Sequence, residues 1–179
     1  MLRTLKQRMT FVPLLLIVAA WIAFQPRAPA FQLLGKPAPQ FSLDLLDGGT
    51  FDLAKTKGNE IVILDFWATW CGPCRYAMPI LEKISEKFHD QGVRLYAVNL
   101  REDSRDIHRY LKSERLDLTV LLDTQGSVAG QYKADAIPQT VIIGKDGTVQ
   151  VVHVGISLDL EAEITNELTA LAKGEKLAK

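Results

Sequence analysis

Hydrophobic and polar positions follow two periods along this chain, and each period predicts a different kind of element. Unbroken apolar runs are typical of strands buried on both faces, and strict alternation is typical of strands buried on one face. These patterns predict strands at residues 41–45, 50–53, 61–67, 93–99, 118–122, 140–143 and 148–154. Apolar positions spaced by three and four residues are typical of helices. The sequence predicts helices at residues 72–88, 104–114, 126–132 and 158–171, with Ser104 as the N-cap of the second.

The order of these elements indicates the fold class. Strands alternate with helices through the middle of the chain, and residues 144–147 (Gly-Lys-Asp-Gly) join the last two strands as a hairpin turn. Residues 47–49 (Asp-Gly-Gly) join the first two strands in the same way. We therefore expect an α/β fold with a mixed central sheet flanked by helices on both faces, preceded by an N-terminal β-hairpin. The folded domain is predicted at 41–174, followed by a tail at 175–179.

The first thirty residues have the pattern of an export signal. The chain starts with the basic residues Arg3, Lys6 and Arg8. An apolar run follows at 11–24, and Ala28-Pro29-Ala30 then fits an A-x-A cleavage site. The apolar run would span about 21 Å as a helix, short of the ~30 Å hydrocarbon core. A cleaved signal peptide and a short membrane anchor therefore stay open, with a buried core helix as the third alternative. Both export readings place the domain outside the cytoplasm, with residues 31–40 as a linker.

Composition and charge narrow the possible partners. The chain is 47% hydrophobic and 23% charged, which is typical of a globular protein, and its two cysteines exclude a framework of several disulfides. Residues 1–30 hold four basic side chains and no acidic one. Because the whole chain has 21 of each sign, the remainder is acidic by four charges. A mildly acidic domain lacks the basic surface that nucleic-acid binding requires, so we expect no nucleic-acid partner.

The two cysteines carry the chemistry that the sequence suggests. They occur in Trp70-Cys71-Gly72-Pro73-Cys74, where a strand ends and a helix begins. Free backbone N–H groups and the helix dipole favour a thiolate there, so we expect a lowered thiol pKa for Cys71. Cys74, one turn later and more buried, is close enough to form a disulfide with Cys71. The pair can therefore cycle, with Cys71 attacking a partner's disulfide and Cys74 resolving the mixed disulfide.

Other interpretations of the cysteine pair are less consistent with the sequence. A purely structural disulfide would close too small a loop to remove much chain entropy. A zinc site needs four ligands, and His89, His108 and His153 are far in sequence from the pair and from one another. Haem attachment needs a histidine directly after Cys74, where Arg75 stands. We therefore expect neither a metal nor another cofactor.

Two further positions are candidates for the site. Asp65 is the one carboxylate in the apolar run 61–67, and burial should raise its pKa so that it can transfer a proton near neutral pH. We hypothesise that Asp65 lies behind the cysteines and assists deprotonation of Cys74; the alternative is an aspartate that reaches water at a strand edge. The Ile137-Pro138 bond precedes a strand, where a cis peptide would make a tight turn, although trans bonds are the more frequent.

Several segments resemble known proteins. ILDFWATWCGPCR resembles the active-site strand and helix of thioredoxin, including the positions of Asp65 and Pro79. The remainder resembles the TlpA/ResA group of exported, usually membrane-tethered thiol–disulfide oxidoreductases. The segments that carry this likeness are GKPAPQFSLDLLDG, GVRLYAVNLRED, VLLDTQGSVAGQY and AIPQTVIIGKDGTV. The resemblance extends over roughly residues 35–174.

The resemblance implies a thioredoxin-like fold with an N-terminal hairpin and a βα insertion at about 104–123. It implies that Cys71 attacks, that Cys74 resolves, and that Pro138 is a cis-proline beside them. Members of the group commonly reduce disulfides of exported proteins. One recurring role keeps apocytochrome c reduced for haem attachment, with electrons from a membrane protein of the DsbD/CcdA kind.

Two departures from the group bear on specificity. Ala77 stands where ResA-like members carry an acidic residue, which weakens a specific link to apocytochrome c. Gln139 stands after the proline where threonine is frequent, so we expect an altered substrate groove, with the surface around Trp70, Ile137 and Gln139 contacting the partner chain.

The predicted function is reduction of disulfides in exported proteins. Glycine and proline between the cysteines match thioredoxin, whose cysteine pair is reducing, with a reduction potential of about −270 mV. The predicted substrate-binding residues are Trp70, Gly72, Pro73, Ile137 and Pro138.

Two alternatives stay open. A peroxiredoxin-like peroxidase would need Pro and Thr or Ser at positions held by Leu64 and Ala68. A non-catalytic binding scaffold would not need the Cys-x-x-Cys pair.

Overall fold

A computed structural model describes residues 29–178, and the structural statements below concern that part of the chain. The strands are β1 (Ser42–Leu45), β2 (Thr50–Asp52), β3 (Ile61–Trp67), β4 (Val93–Leu100), β5 (Val120–Asp123), β6 (Gln139–Ile143) and β7 (Val149–Val154). The α-helices are α1 (Gly72–Lys87), α2 (Ser104–Glu114), α3 (Ser127–Gln131) and α4 (Leu160–Ala172). Short 3-10 helices span Pro29–Leu33, Leu53–Thr56 and His89–Gln91. The predicted export signal or anchor lies outside the described residues except for its last two.

The strands form one mixed sheet, which confirms the predicted fold class. Its order is β2-β1-β5-β4-β3-β6-β7, in which β3, β4 and β5 are parallel and their other neighbours are antiparallel. Because β3 lies between β4 and β6 and is covered on both faces, all seven of its residues are buried. This explains its unbroken apolar sequence.

The two faces of the sheet have separate cores. Successive side chains of a strand point to opposite faces, and the apolar residues of β3 divide accordingly. Ile63 and Trp67 belong to the core that also contains Cys74 and the inner side chains of α1, α2 and α4. Leu64 and Phe66 belong to the other core, which α3 and the N-terminal hairpin cover. The helices therefore lie on both faces, as predicted.

The start of α2 differs in detail from the prediction. Ser104 was expected as its N-cap, but the cap is Asp103, whose carboxylate accepts a hydrogen bond from the backbone N–H of Arg105 at 2.8 Å. A capping residue has an extended backbone, and Asp103 adopts one at φ −74° and ψ 139°. Ser104 is therefore the first helical residue.

The segment before β1 is bonded to the start of β7. The N–H of Gly35 donates to the carbonyl of Val149 at 2.8 Å, and the N–H of Ala38 donates to the carbonyl of Gly147 at 2.9 Å. In the strand registers Val149 pairs with Ile143, and Ile143 pairs with Val62 at the N-terminal end of β3. The linker boundaries stay a prediction. Within residues 29–178, no helix combines the length and the apolar character that crossing a membrane requires.

Candidate functional site

A disulfide lies at the N-terminus of α1, after the short loop that follows the central strand β3. The sulfurs of Cys71 and Cys74 are bonded at 2.00 Å. Cys71 is the N-cap residue of the helix, and its sulfur accepts a hydrogen bond from the backbone N–H of Cys74 at 3.2 Å. Cys74 is fully buried, whereas Cys71 keeps 4% of its surface exposed. The predicted positions of the two cysteines are confirmed, and Cys71 is the more exposed residue of the pair.

The electrostatic surroundings of this helix end favour negative charge on Cys71. The free N–H groups of a first turn carry a partial positive charge, and no acidic side chain of the first turn of α1 offsets it. Arg75, directly after the pair, makes an ion pair with Glu114 at 2.8 Å. The guanidinium of Arg75 also lies 5.6 Å from the ring centre of Tyr110. The insertion helix α2 thus contacts the start of the helix that carries the disulfide.

Asp65 is buried on the face of the sheet that holds the cysteines. Only 1% of its surface is exposed, so the alternative of an aspartate that reaches water is wrong. The hydroxyl of Thr140 donates to its Oδ1 at 2.9 Å, and its Oδ2 has no hydrogen-bond partner among the described residues. Burial raises the pKa of Asp65 from 3.8 to about 7, although the Thr140 hydrogen bond acts in the opposite direction. Its position between Ile63 and Trp67 in the alternation directs it to the core that contains Cys74.

The turn before β6 contains a cis peptide bond between Ile137 and Pro138, as the resemblance implied. The carbonyl of Pro138 accepts a hydrogen bond from the N–H of Gly155 at 2.8 Å, which joins this turn to the end of β7. Gln139 is fully buried, and its side-chain amide donates to the carbonyl of Tyr132 at 2.9 Å. The expectation that Gln139 would contact a partner at the surface is therefore wrong, because its side chain is used inside the domain.

A cleft of about 450 Å³ is lined in part by Trp70, the residue directly before Cys71. Trp70, 72% exposed although apolar, forms one of its walls together with Ile137. The lining continues over Leu100, Arg101, Ala129, Gly130, Ala134 and Asp135. Gly72 and Pro73 are exposed between the cysteines, and a Cβ on Gly72 would meet nothing within 4 Å. Gly72 therefore adds no side chain that could cover Cys71.

Glu102 is a site residue that the sequence alone did not reveal. Its carboxylate accepts hydrogen bonds from Thr69, two residues before Cys71, and from Asn99. Thr69 and Glu102 are 33 positions apart in the chain. No spacing pattern links them, since they meet only because β3 and β4 are adjacent.

The three histidines occupy different elements, with His89 in a 3-10 helix, His108 in α2 and His153 in β7. His89 and His108 are exposed, and His153 is bonded to Glu167 at 2.9 Å. In the part of the chain that the structure describes, no group of three or more His, Cys, Asp or Glu side chains could hold a metal ion.

Known proteins are similar to this chain in sequence and in structure. Residues 34–152 match the AhpC/TSA family. "Thiol-disulfide oxidoreductase ResA" of Bacillus subtilis is 33% identical over 141 residues, which cover 79% of this chain and 77% of that protein. "Thioredoxin-like protein YneN" of the same organism is 34% identical over 132 residues, which cover 72% of this chain and 76% of that protein.

Solved structures agree with these sequence matches. A thiol:disulfide interchange protein of the thioredoxin family from Chlorobium tepidum superposes with a TM-score of 0.66 at 26% identity, covering 76% of this chain and 95% of that chain. The dsbF protein of Mycobacterium tuberculosis has the same TM-score at 27% identity and covers 81% of this chain and 99% of its own.

Proposed function

This chain belongs to the AhpC/TSA family and is a thioredoxin-like thiol–disulfide oxidoreductase of the ResA type, and from that premise we propose that it reduces disulfides in exported proteins. The observation that carries the proposal is the Cys71–Cys74 disulfide at the start of α1, with the sulfur of Cys71 already accepting a helix N–H. The same N–H groups would stabilise the thiolate of the reduced form.

Reduction of a client disulfide proceeds in two exchanges. The Cys71 thiolate attacks one sulfur of the client, a mixed disulfide forms, and the other client sulfur leaves as a thiolate that takes up a proton. The Cys74 sulfur then attacks Cys71, its S–H proton is removed, and the second client sulfur leaves. Two electrons pass to the client, and the Cys71–Cys74 disulfide is restored. A dithiol donor must then reduce it for the next cycle.

Asp65 is the proposed acceptor of the Cys74 proton. Asp65 is buried on the face of the sheet where Cys74 also lies, and a fully buried sulfur is not accessible to a base in solution. A raised pKa of about 7 lets the Asp65 carboxyl accept and release a proton near neutral pH. The unpartnered Oδ2 of Asp65 leaves one oxygen available for this transfer.

The client chain is proposed to bind across the surface around the disulfide. Trp70, Gly72, Pro73, Ile137 and Pro138 are the proposed contacts. A client whose sulfur reaches Cys71 must cover the adjoining cleft, where the exposed ring of Trp70 offers apolar area. Small side chains along the cleft, such as Ala129, leave room for a bulky side chain of the client.

The proposed place of action is outside the cytoplasm. The N-terminal sequence pattern supports export, either as a released protein or held to the membrane by that segment. Oxidised exported proteins would be the clients, apocytochrome c among them. A membrane protein of the DsbD/CcdA kind would supply the electrons. The names of the ResA relatives are consistent with this class of reaction.

Insulin reduction by dithiothreitol tests the proposal, with Cys71→Ser as the inactive control. We expect the parent protein to accelerate precipitation of the insulin B chain and the control to leave the uncatalysed rate unchanged. Equilibration with glutathione should give a reduction potential of about −270 mV. An oxidising couple at about −120 mV would point to an oxidase, and rapid consumption of peroxide without insulin reduction would point to a peroxidase.

A Cys74→Ser variant should identify the client. Without the resolving sulfur, the mixed disulfide at Cys71 persists, and the captured protein can be named by mass spectrometry. A Cys71→Ser, Cys74→Ser double variant is the matched control. Equal capture by both variants would argue against exchange at Cys71.

A further inference from the structure

Glu102 holds the loop that leads into the disulfide. The backbone N–H of Thr69 donates to its carboxylate at 2.7 Å, the hydroxyl of Thr69 donates to the other carboxylate oxygen, and the side-chain amide of Asn99 donates at 2.7 Å. Asn99 is 1% exposed near the end of β4, so one of the donors is fixed inside the fold. We infer that Glu102 is a positioning residue for exchange at Cys71, an inference that rests on the proposed function.

The loop needs such an acceptor because it lies between regular elements. Residues 68–71 connect β3 to α1, and one backbone bond closes the turn that they form, from the N–H of Cys71 to the carbonyl of Ala68 at 3.1 Å. A backbone N–H without an acceptor costs free energy when water cannot reach it. Glu102 binds the middle of this loop, at Thr69. The contact therefore fixes both residues that follow, the exposed Trp70 and the N-cap Cys71.

The turn that contains Glu102 is itself shaped for this contact. Arg101 has a left-handed backbone, with φ 59°, and this conformation turns the chain sharply after β4. Its side chain lies against Gly126, where a Cβ would be 2.6 Å from the guanidinium nitrogens. Arg101 and Glu102 thus extend to different partners, and the carboxylate of Glu102 is left to bind the loop at Thr69.

Geometry and charge at Glu102 would act on Cys71 in opposite directions. A nearby negative charge disfavours a thiolate, whereas a fixed loop keeps the sulfur at the helix N-terminus, where a thiolate is favoured. Glutamine separates the two effects. Its carboxamide oxygen can accept from Thr69 N–H and Asn99, while its amide can donate to the Thr69 hydroxyl, which then acts as an acceptor. Glu102→Gln therefore keeps the contacts without the charge, and Glu102→Ala removes both.

The test compares three variants in two assays. Glu102→Gln should stay within about twofold of the parent in insulin reduction. Glu102→Ala should lose about tenfold, the size of effect expected for one charge-assisted hydrogen bond. In the Cys74→Ser background, alkylation of Cys71 by iodoacetamide at neutral pH should slow with Glu102→Ala and not with Glu102→Gln. Glu60→Ala is the matched control, because Glu60 accepts a hydrogen bond from Tyr96 at 2.9 Å at the opposite end of β3.

Parent rates in Glu102→Ala, or equal losses in Glu102→Gln and Glu102→Ala, would overturn the inference. Should Glu102→Ala fail to fold, Thr69→Val removes only the hydroxyl contact and should lower both rates about threefold; unchanged rates in that variant would also overturn it. If the parent itself does not reduce insulin, the proposed function fails, while the alkylation rates still report whether Glu102 positions Cys71.

Discussion

Thr140 and Asp65 stand opposite each other on β6 and β3, and one hydrogen bond of 2.9 Å joins the hydroxyl to the carboxylate. It is the sole hydrogen bond of the Asp65 side chain among the described residues, since Oδ2 has no partner. One hydroxyl offsets only part of the cost of burying a carboxylate, so the neutral form of Asp65 is favoured up to a pH of about 7. Two predictions depend on this pair.

Replacing Asp65 with Asn should stabilise the oxidised protein more at high pH than at low pH. Because the pKa of Asp65 is raised from 3.8 to about 7 on folding, the stability that its proton provides is complete below 3.8 and is lost as the pH rises through about 7. The gain in the free energy of unfolding should therefore grow with pH to on the order of 4 kcal/mol in alkaline buffer. Urea denaturation from pH 4 to pH 9 measures it, and a gain that does not change with pH would contradict the raised pKa.

The pH profile of client reduction should move when Thr140 is replaced. The rate of resolution should rise with pH through the pKa of Asp65, since the carboxylate form accepts the Cys74 proton. Thr140→Val removes the bond that lowers this pKa, so the midpoint of the profile should shift to higher pH, with the full rate above it. Asp65→Asn should slow the reaction at least about tenfold and abolish that midpoint. Profiles that coincide for all three proteins would exclude Asp65 from the proton transfer.

Filling the cleft should impair protein clients selectively. A Cβ at Gly130 would meet nothing within 4 Å, so Gly130→Leu projects into the cleft without displacing a neighbour, and leucine also favours the helix. We expect KM for disulfide-containing client proteins to rise several-fold, while reduction of a small aromatic disulfide stays unchanged. Gln131→Leu, at the exposed next position of α3, is the control. Equal KM values for Gly130→Leu and the parent would mean that clients do not use the cleft.

His153 should stabilise the fold in its charged form. Its bond to Glu167, 2.9 Å long, joins β7 to α4 and raises the pKa of His153 above 6.5. The stability from this pair is present below the ordinary histidine pKa and is lost as the pH rises through the raised value. His153→Gln should therefore cost about 1 kcal/mol more at pH 6 than at pH 9, measured by thermal or urea unfolding. A larger cost at pH 9 would mean that the charged form of His153 does not stabilise the fold.

The sequence was sufficient where the signal was local. The apolar run of β3 predicted a buried strand with one unusual carboxylate, and both the strand and the burial of Asp65 are confirmed. The position of Cys71 at the start of a helix also followed from adjacent residues. In each case the pattern reflects the environment of its own segment, so it can be interpreted without knowing which distant segments pack against it.

The contacts between segments that are distant in the sequence were not predictable. Glu102 meets Thr69 through the neighbouring strand, and Gln139 is turned inward by a carbonyl of Tyr132. The surface role expected for Gln139 followed from its place after the proline in the resemblance, which does not show where the side chain points. The cap of α2 was displaced by one position, since serine and aspartate are nearly equal in capping ability and the backbone decides between them.

The bonds from Gly35 and Ala38 to the start of β7 hold the segment before β1 at one end of the sheet. That point is level with Val62, whereas Cys71 follows the other end of β3. A seven-residue strand is about 23 Å long. The segment before β1 is therefore tied to the domain about the length of a strand away from the reactive sulfurs, so that client proteins can approach the disulfide without displacing that segment.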